Sequence, residues 1–433
     1  MTGLATSSTA PRLLVGATEG QRVSYEHHLA LHGPISLPNR KQSGHWREDL
    51  LEQIDLAGLT GRGGGGFPTA TKLKAYAQGH RRHTMVINVM EGEPAAQKDS
   101  VLACFTPHLV LDGAELLATL VHSPSVTIAV ARDNPAAFES LSAAITERRS
   151  RRKGGVEFTV VAPPGRYIAG EESALAHWLD GGMSMPTFRE TKPARLPVRG
   201  RGAVIDNAET AANVALIARH GGSWFADGGV KGCSGTTLVT ISGTVDDPGV
   251  FEVPLGTPLS QVVALARPKG QIAGLLLGGY GGTFVPPAAL DAPYSPAGIK
   301  PYGGNIGAGI IVVIGAEVCG IAEAARITRW MANESAGQCG PCVFGLPALA
   351  TELEHLASGT RTPGLEASLK SHLSVIDGRG ACAHPDGVVR MVRSALSVFA
   401  DDANAHLHGH RCSGASAKTI MVLPPNEGVI EWR

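Results

Sequence analysis

The sequence predicts an α/β fold: a doubly wound parallel-sheet domain, then a small α+β module of β-grasp type, then a C-terminal four-helix bundle. Three observations predict it. Up to about residue 225, apolar runs such as His83–Val89 alternate with helical patterns, the alternation that builds a parallel sheet covered on both faces. Two short β-branched runs then flank Asp246-Asp247-Pro248-Gly249, a turn signal between strands. Beyond residue 316, helical patterns at 317–333, 342–358, 364–377 and 386–401 follow one another, punctuated by Gly, Pro or Cys. The chain divides into a leader (1–45), the α/β domain (46–228), the small module (229–315), the bundle (316–413) and a tail (414–433).

In order, residues 46–59 read as an amphipathic helix that delivers the glycine stretch Gly58-Leu-Thr-Gly61-Arg62-Gly63-Gly-Gly-Gly-Phe67. Pro68 opens the next helix, up to Gln78, with Lys72 one turn in. His83–Val89 fits a buried parallel strand and runs into Glu91-Gly-Glu93-Pro94. Helix 108–121, strand Val126–Ala131, a polar helix, strand Val156–Val161 and Gly165-Arg-Tyr167-Ile-Ala-Gly170-Glu171-Glu172 follow. The run Glu147–Lys153 reads as a solvated charged face. In the small module, Thr236–Ser242 and Val250–Val253 read as strands, Leu255–Leu265 as a helix and Ile272–Leu277 as a strand.

Composition excludes several function classes. The 433 residues suffice for several domains, and 38 basic against 38 acidic residues give no electrostatic case for a nucleic-acid or anionic-membrane partner. No apolar run spans a bilayer, so direct membrane insertion is not expected. The N-terminal MTGLATSSTAPR lacks the apolar core of a secretory signal. Seven unevenly clustered cysteines point to a reducing compartment with metal or redox use, which makes the cytoplasm the expected location.

Five constellations carry chemistry. Glycines, exposed amides and Lys72 at a helix start make an anion cradle. Gly61-x-Gly63-x-x-Gly66 formally matches a dinucleotide fingerprint, but that fingerprint follows a strand, and here a helix precedes it. Asn88, Glu91 and Glu93, after a buried strand, can accept hydrogen bonds from sugar hydroxyls or a base edge. Tyr167 to Glu172 stands at a helix mouth, and Asp206-Asn207 precedes another helical pattern. Taken singly, Asp206 is also a helix cap, Asn88 a turn former and Glu171 a dipole partner. Cys339-Gly-Pro-Cys342 with Cys382 can grip one metal or cluster; a redox dithiol is the other reading of the pair.

These residues resemble the NADH-binding FMN/iron–sulfur flavoprotein subunit of respiratory complex I, and the diaphorase subunits of NAD-linked hydrogenases and formate dehydrogenases. The motifs are GLTGRGGGGFPTATK, NVMEGEPAAQKD, GRYIAGEESAL, IDNAETAANV, GNIGAGIIVV, ESAGQCGPC and GRGAC, between about residues 46 and 413. The resemblance implies a Rossmann-like FMN-binding domain, a β-grasp (SLBB) domain and a helical bundle holding a 4Fe–4S cluster. It implies that Gly61, Arg62, Gly63 and Lys72 contact FMN, with Lys72 near the phosphate. Asn88, Glu91, Gly170, Glu171, Asp206 and Asn207 would hold the ribityl and ring side. Phe67, Tyr167, Glu93 and Glu172 would face the nicotinamide nucleotide, NAD(H), and Cys339, Cys342 and Cys382 the cluster. The implied reaction is hydride transfer from NAD(P)H to FMN, then single-electron transfer to the cluster or to a ferredoxin-like or other iron–sulfur partner.

Some positions depart from the family. Ala336 stands where the family's cluster motif has another cysteine; His384, two residues after Cys382, offers a Cys3His alternative that suits zinc. Met90 replaces an aspartate, Gln97 an aromatic, and Ala75 an adenine-stacking aromatic with Tyr76 beside it. His406, His408, His410 and Cys412 read first as surface residues and only weakly as a metal tract. These departures support a second class of function, a degenerate non-catalytic docking or assembly module.

Overall fold

The computed structural model describes residues 12–18, 20–38, 43–77, 82–151, 155–188, 196–230, 233–424 and 431–433. The first eleven residues of the expected leader, Arg152 and Lys153 of the charge run, Gln78 at the expected end of its helix, and 425–430 of the tail lie outside the described residues.

Thr84–Val89 (β1), Ser125–Val130 (β2), Glu157–Val161 (β3), Leu196–Val198 (β4) and Arg201–Asn207 (β5) form one sheet in the order β3-β2-β1-β5-β4. All pairings are parallel except that of the edge strand β4 with β5. Alternate residues of β1 serve opposite faces, as the pleat requires. Met85, Ile87 and Val89 join the larger core with helices Pro107–Leu120 and Ala208–His220. Val86 packs with Ala129 and Ile205 under Ala169, Leu175 and Leu179 on the other face.

Thr236–Gly243 (β6), Gly249–Pro254 (β7), Ile272–Leu277 (β8), Thr283–Val285 (β9) and Ile310–Gly315 (β10) form the second sheet, ordered β7-β6-β10-β8-β9. Every residue of β10 is buried. Ile311 and Val313 pack on one side with Val262 of the short helix Leu259–Ala264. Ile310, Val312 and Ile314 pack on the other with Ile321 and Ile327 of helix Gly320–Asn333. Helices Leu346–Ala357, Leu365–Ile376 and His384–Val398 complete the helical region, with Ala400–Leu407 after them. Among the described residues no single helix is long and apolar enough to cross a membrane.

Three long-range connections were not legible locally. The amides of Arg12 and Leu13 donate to the Glu252 carboxylate on β7 at 2.8 and 2.9 Å, so this part of the leader docks on the second sheet. Arg148 is not part of a solvated face: it is 7% exposed and meets Asp112 at 2.5 Å. Burial opposes the Asp112 charge, yet His28, Arg148 and Arg219 hold its carboxyl well below the usual range.

The third connection joins the two sheets. Glu209, 0% exposed, accepts from the Thr237 hydroxyl at 2.9 Å and the Leu238 amide at 3.0 Å. Lys98 reaches Glu209 at 2.9 Å and Asp99 at 3.0 Å, and Arg62 lies 3.8 Å from Glu209. Burial opposes the Lys98 charge, but Asp99 and Glu209 more than offset it and raise its pKa. Truncating one member leaves the other charges buried and unpaired, which costs about 3–5 kcal/mol. Glu209→Ala should therefore lower the thermal midpoint sharply, whereas Glu209→Gln, which keeps the acceptor for Thr237 and Leu238, should lower it less. Calorimetry of the two variants checks the order.

Candidate flavin and iron–sulfur site

The strand order of the first sheet reverses between the parallel neighbours β1 and β5, and there an open α/β sheet leaves a crevice for a ligand. Asn88 and Asn207 stand side by side there. The Asn88 amide donates to the Gly170 carbonyl at 2.8 Å, and its oxygen accepts from the Met90 amide at 3.0 Å. Asn207 donates to Asp99 at 2.6 Å and caps helix Ala208–His220 through the Glu209 amide at 2.9 Å. Helix Ser43–Leu56, and no strand, precedes the glycine loop.

The loop is closed at its base by Gly61 N–H to Phe67 O and Thr69 N–H to Leu59 O, both 2.9 Å. The Arg62 amide donates to Thr210 at 2.9 Å, and its guanidinium turns inward to the Thr236 carbonyl at 3.2 Å. Arg62 thus fastens the loop to helix Ala208–His220 and to β6, and offers its guanidinium to the interior. Gly63 lies against Asn207: an added Cβ would come within 3.4 Å of the asparagine Cβ. Gly65 and Gly66 face open space, and Gly66 has φ +59°, so this side of the loop accepts close backbone approach. Phe67 is half exposed beside it.

Lys72 lies 3.0 Å from Asp206 and 3.3 Å from Glu172 and also donates to the Ile205 carbonyl. Burial opposes its charge, but Asp206 and Glu172 outweigh burial and raise its pKa. Asp206 Oδ2 and Thr69 Oγ1 are buried without a protein partner. Glu91, at φ +42°, accepts from the Asp99 and Ser100 amides, both at 2.8 Å. It thereby caps helix Lys98–Phe105, which sequence patterning did not expose. Glu171 caps helix Glu172–Leu179 through Ser173 N–H at 2.8 Å and Ala174 N–H at 3.1 Å.

Glu93 accepts from the Tyr280 amide of the second sheet's loop at 2.9 Å, while Oε1 has no partner of ordinary geometry. Burial pushes its carboxyl up to about 7, against the opposing pull of the Tyr280 amide and Tyr167. The Tyr167 ring lies edge-on to Trp330 (5.6 Å) and to His384 (5.5 Å), and its amide donates to Glu334 at 3.1 Å. Glu334, which sequence reasoning passed over, also holds Arg166 at 3.2 Å. Tyr76 lies edge-on to His83 at 5.2 Å.

Cys339 and Cys342 lie against each other, and Cys382, some forty residues on, is near enough for the three to act on one another's charge. Burial raises the Cys342 thiol, and Cys339 and Cys382 add to the rise, while the Ser335 hydroxyl opposes it. Burial also raises Cys382, which feels the charge of Glu171. The cysteine group and the acidic loop are therefore neighbours. His384 Nε2 bonds the Met331 carbonyl at 2.9 Å, and burial pushes the imidazole pKa down to about 4.

The chain is 30% identical over 428 residues to the F subunit of NADH-quinone oxidoreductase from Mycobacterium tuberculosis, covering 94% of this chain and 93% of the relative. The chain belongs to the family of NADH-quinone oxidoreductase F subunits. The F subunit of the Escherichia coli enzyme is 29% identical over 375 residues, 83% of this chain and 84% of that one. Residues 54–216 match the Nuo51 FMN-binding domain, 238–267 the SLBB domain and 322–406 the NADH-ubiquinone oxidoreductase-F iron–sulfur binding region. A crystal structure of an NAD+-reducing [NiFe]-hydrogenase in the H2-reduced state superposes with TM-score 0.80 at 27% identity, covering 94% of this chain and 68% of that chain. As a member of this family, the chain is an FMN-binding electron-transfer oxidoreductase subunit of NADH dehydrogenase type with an iron–sulfur region.

The residues present fit both groups. The open side of Gly65–Gly66 and the unpartnered Asp206 Oδ2 and Thr69 Oγ1 suit a ligand rich in hydroxyl and phosphate oxygens. Three neighbouring thiols suit an iron–sulfur group, with Ser335 against Cys342 and Ala336 contributing no donor.

A raised carboxyl has a definite sign in stability. Glu93 rises from 4.5 to about 7 on folding, so its contribution is intact below pH 4.5 and is lost as pH climbs to about 7. Glu93→Gln should flatten the fall of the thermal midpoint across this window; melting curves at stepped pH measure it.

Proposed function

We propose that the chain oxidises NADH through FMN and hands electrons to an iron–sulfur partner. One observation carries this reading: the glycine loop lies against Asn207, Asn88 bonds Gly170 of the turn that starts at Tyr167, and the Tyr167 ring meets His384, two residues from Cys382. FMN held in this crevice would supply hydride acceptance and single-electron release, and a cluster held by the cysteines would supply an electron relay. The chain's own part is positioning. Gly61 and Gly63 present backbone without side chains, and Asn88, Asp206 and Asn207 supply amide and carboxylate groups at the strand ends. Glu91, Glu171 and Gly170 fix the helix starts and the short turn that wall the crevice. Lys72 is kept charged and aimed by Asp206. A phosphate reaches it by displacing Glu172, whose carboxylate is half exposed.

Glu93 and Glu172 face the nucleotide side in this proposal, with Phe67 as the exposed aromatic edge and Tyr167 behind them. Cys339, Cys342 and Cys382 hold the cluster, and the Ser335 hydroxyl, next in sequence to Ala336, lies against Cys342. Val343 and Phe344, 45% and 74% exposed, follow Cys342 directly and give an iron–sulfur partner an apolar footing beside the cluster. The location proposed is cytoplasmic, peripheral to a membrane complex through partners. Ala336 favours a second reading, a docking module without turnover.

Anaerobic titration separates the two. NADH should bleach the visible flavin band of FMN-loaded protein; an unbleached band would leave the docking reading. Lys72→Met should weaken FMN binding by roughly tenfold or more, since a charge-assisted contact is lost; flavin fluorescence quenching reads it. Cys339→Ser should remove iron and acid-labile sulfide while flavin stays bound, by elemental analysis and absorbance.

A further inference from the structure

Outside the cofactor crevice, one group of side chains has the chemistry of a metal site. We infer that Cys319, His406 and Cys412 bind a single zinc ion. Their ligand atoms all lie within 4.8 Å of one another, and Cys319 and His406 are each 1% exposed. Tetrahedral zinc, with bonds of about 2.0–2.3 Å, needs donors spaced by about 3.4–3.8 Å. Side-chain adjustments on the order of 1 Å therefore close the site.

The site is distinct from the three-cysteine group. Cys319 caps the start of helix Gly320–Asn333, whereas Glu334 and Ser335 leave its far end toward Cys342. Fourteen residues of helix put about 21 Å between the two ends. The donors come from three segments packed together. Cys319 Sγ accepts from the Ala322 amide at 3.4 Å, the helix-start setting that favours a thiolate. His406 stands in the last turn of helix Ala400–Leu407, and its Nε2 accepts from the Cys412 amide at 3.1 Å. The turn after Cys412 is pressed onto Cys319: a Cβ on Gly414 would come within 2.5 Å of the Cys319 nitrogen.

The histidine carries the tautomer a ligand needs. Its Nδ1 makes no hydrogen bond of ordinary geometry, though the Leu356 carbonyl lies close enough to favour a proton there. That proton leaves the lone pair on Nε2, where it accepts from the Cys412 amide, and binding requires the imidazole to turn that lone pair from the amide to the zinc. Burial lowers the His406 pKa, although Asp402 opposes the shift. Burial, with Cys412 beside it, holds the Cys319 thiol up to about 12 without a metal, so zinc binding displaces protons. Two thiols, one imidazole and a fourth position for water match zinc, and Asp402 is the carboxylate whose charge both Cys319 and His406 feel. One ion here ties the C-terminal segment to the start of the helix that leads to the cluster.

The test uses the full chain, isolated anaerobically with reductant and without added metal. Elemental analysis should find about one zinc per chain. It should persist in Cys339→Ser, which loses iron, and drop to background in Cys319→Ser and Cys412→Ser. Cobalt(II) added to chelator-stripped protein should give thiolate charge-transfer and tetrahedral visible bands, absent in His406→Gln. Should the variants not fold, alkylation mapping of the unaltered protein decides. Zinc should protect Cys319 and Cys412, with modification appearing only after chelation. Free alkylation before chelation, a Cys319–Cys412 disulfide, or zinc retained in all three variants would overturn the proposal.

Discussion

The buried charge cluster at Glu209 is the constraint on which the rest depends. A carboxylate with no exposure must be compensated, and its partners come from three places: Lys98 after β1, Arg62 in the glycine loop, and Thr237 and Leu238 on β6. Meeting one requirement therefore fixes three relations. The glycine loop is drawn down against β5, the helix after the acidic loop is anchored, and the second sheet is set against the first. The crevice between β1 and β5 has its shape because this interior does.

From there the architecture passes toward the cysteines through Tyr167. Its ring stands against Trp330 and His384, while Glu334 holds its amide and the neighbouring Arg166. Helix Gly320–Asn333 thus serves two ends: its last turn supports the flavin side, and its N-cap, Cys319, lies in the group with His406 and Cys412. The long helix Pro107–Leu120, almost wholly buried, plays the matching role beneath the first sheet.

Much of the fold was legible wherever a pattern is local. β1 is a near-continuous apolar run that read as a buried strand, and the four long C-terminal helices show as periodic stretches. β5 was hidden by its Arg-Gly start, and helix Lys98–Phe105 because its cap, Glu91, sits seven residues upstream. The glycine loop, Lys72, and the C-x-x-C pair were readable as motifs. What they bond to was not: that Arg62 points inward, that Glu91 caps a helix seven residues on, and that Arg148 is buried beside Asp112 follow from partners elsewhere along the chain. His406 was read as a surface residue because its neighbours His408 and His410 are; the fold buries it alone.

Two departures from the family pattern, Met90 and Ala336, look unrelated in the sequence. In the fold they stand at the two ends of one short path. Met90 lies directly under Gly170, where an added Cβ would come within 3.1 Å of its own. Gly170 closes the turn that begins at Tyr167, Tyr167 is held by Glu334, and Ala336 is two residues on. An engineer restoring the family's aspartate at one end or its cysteine at the other would be working on the same piece of packing from opposite sides.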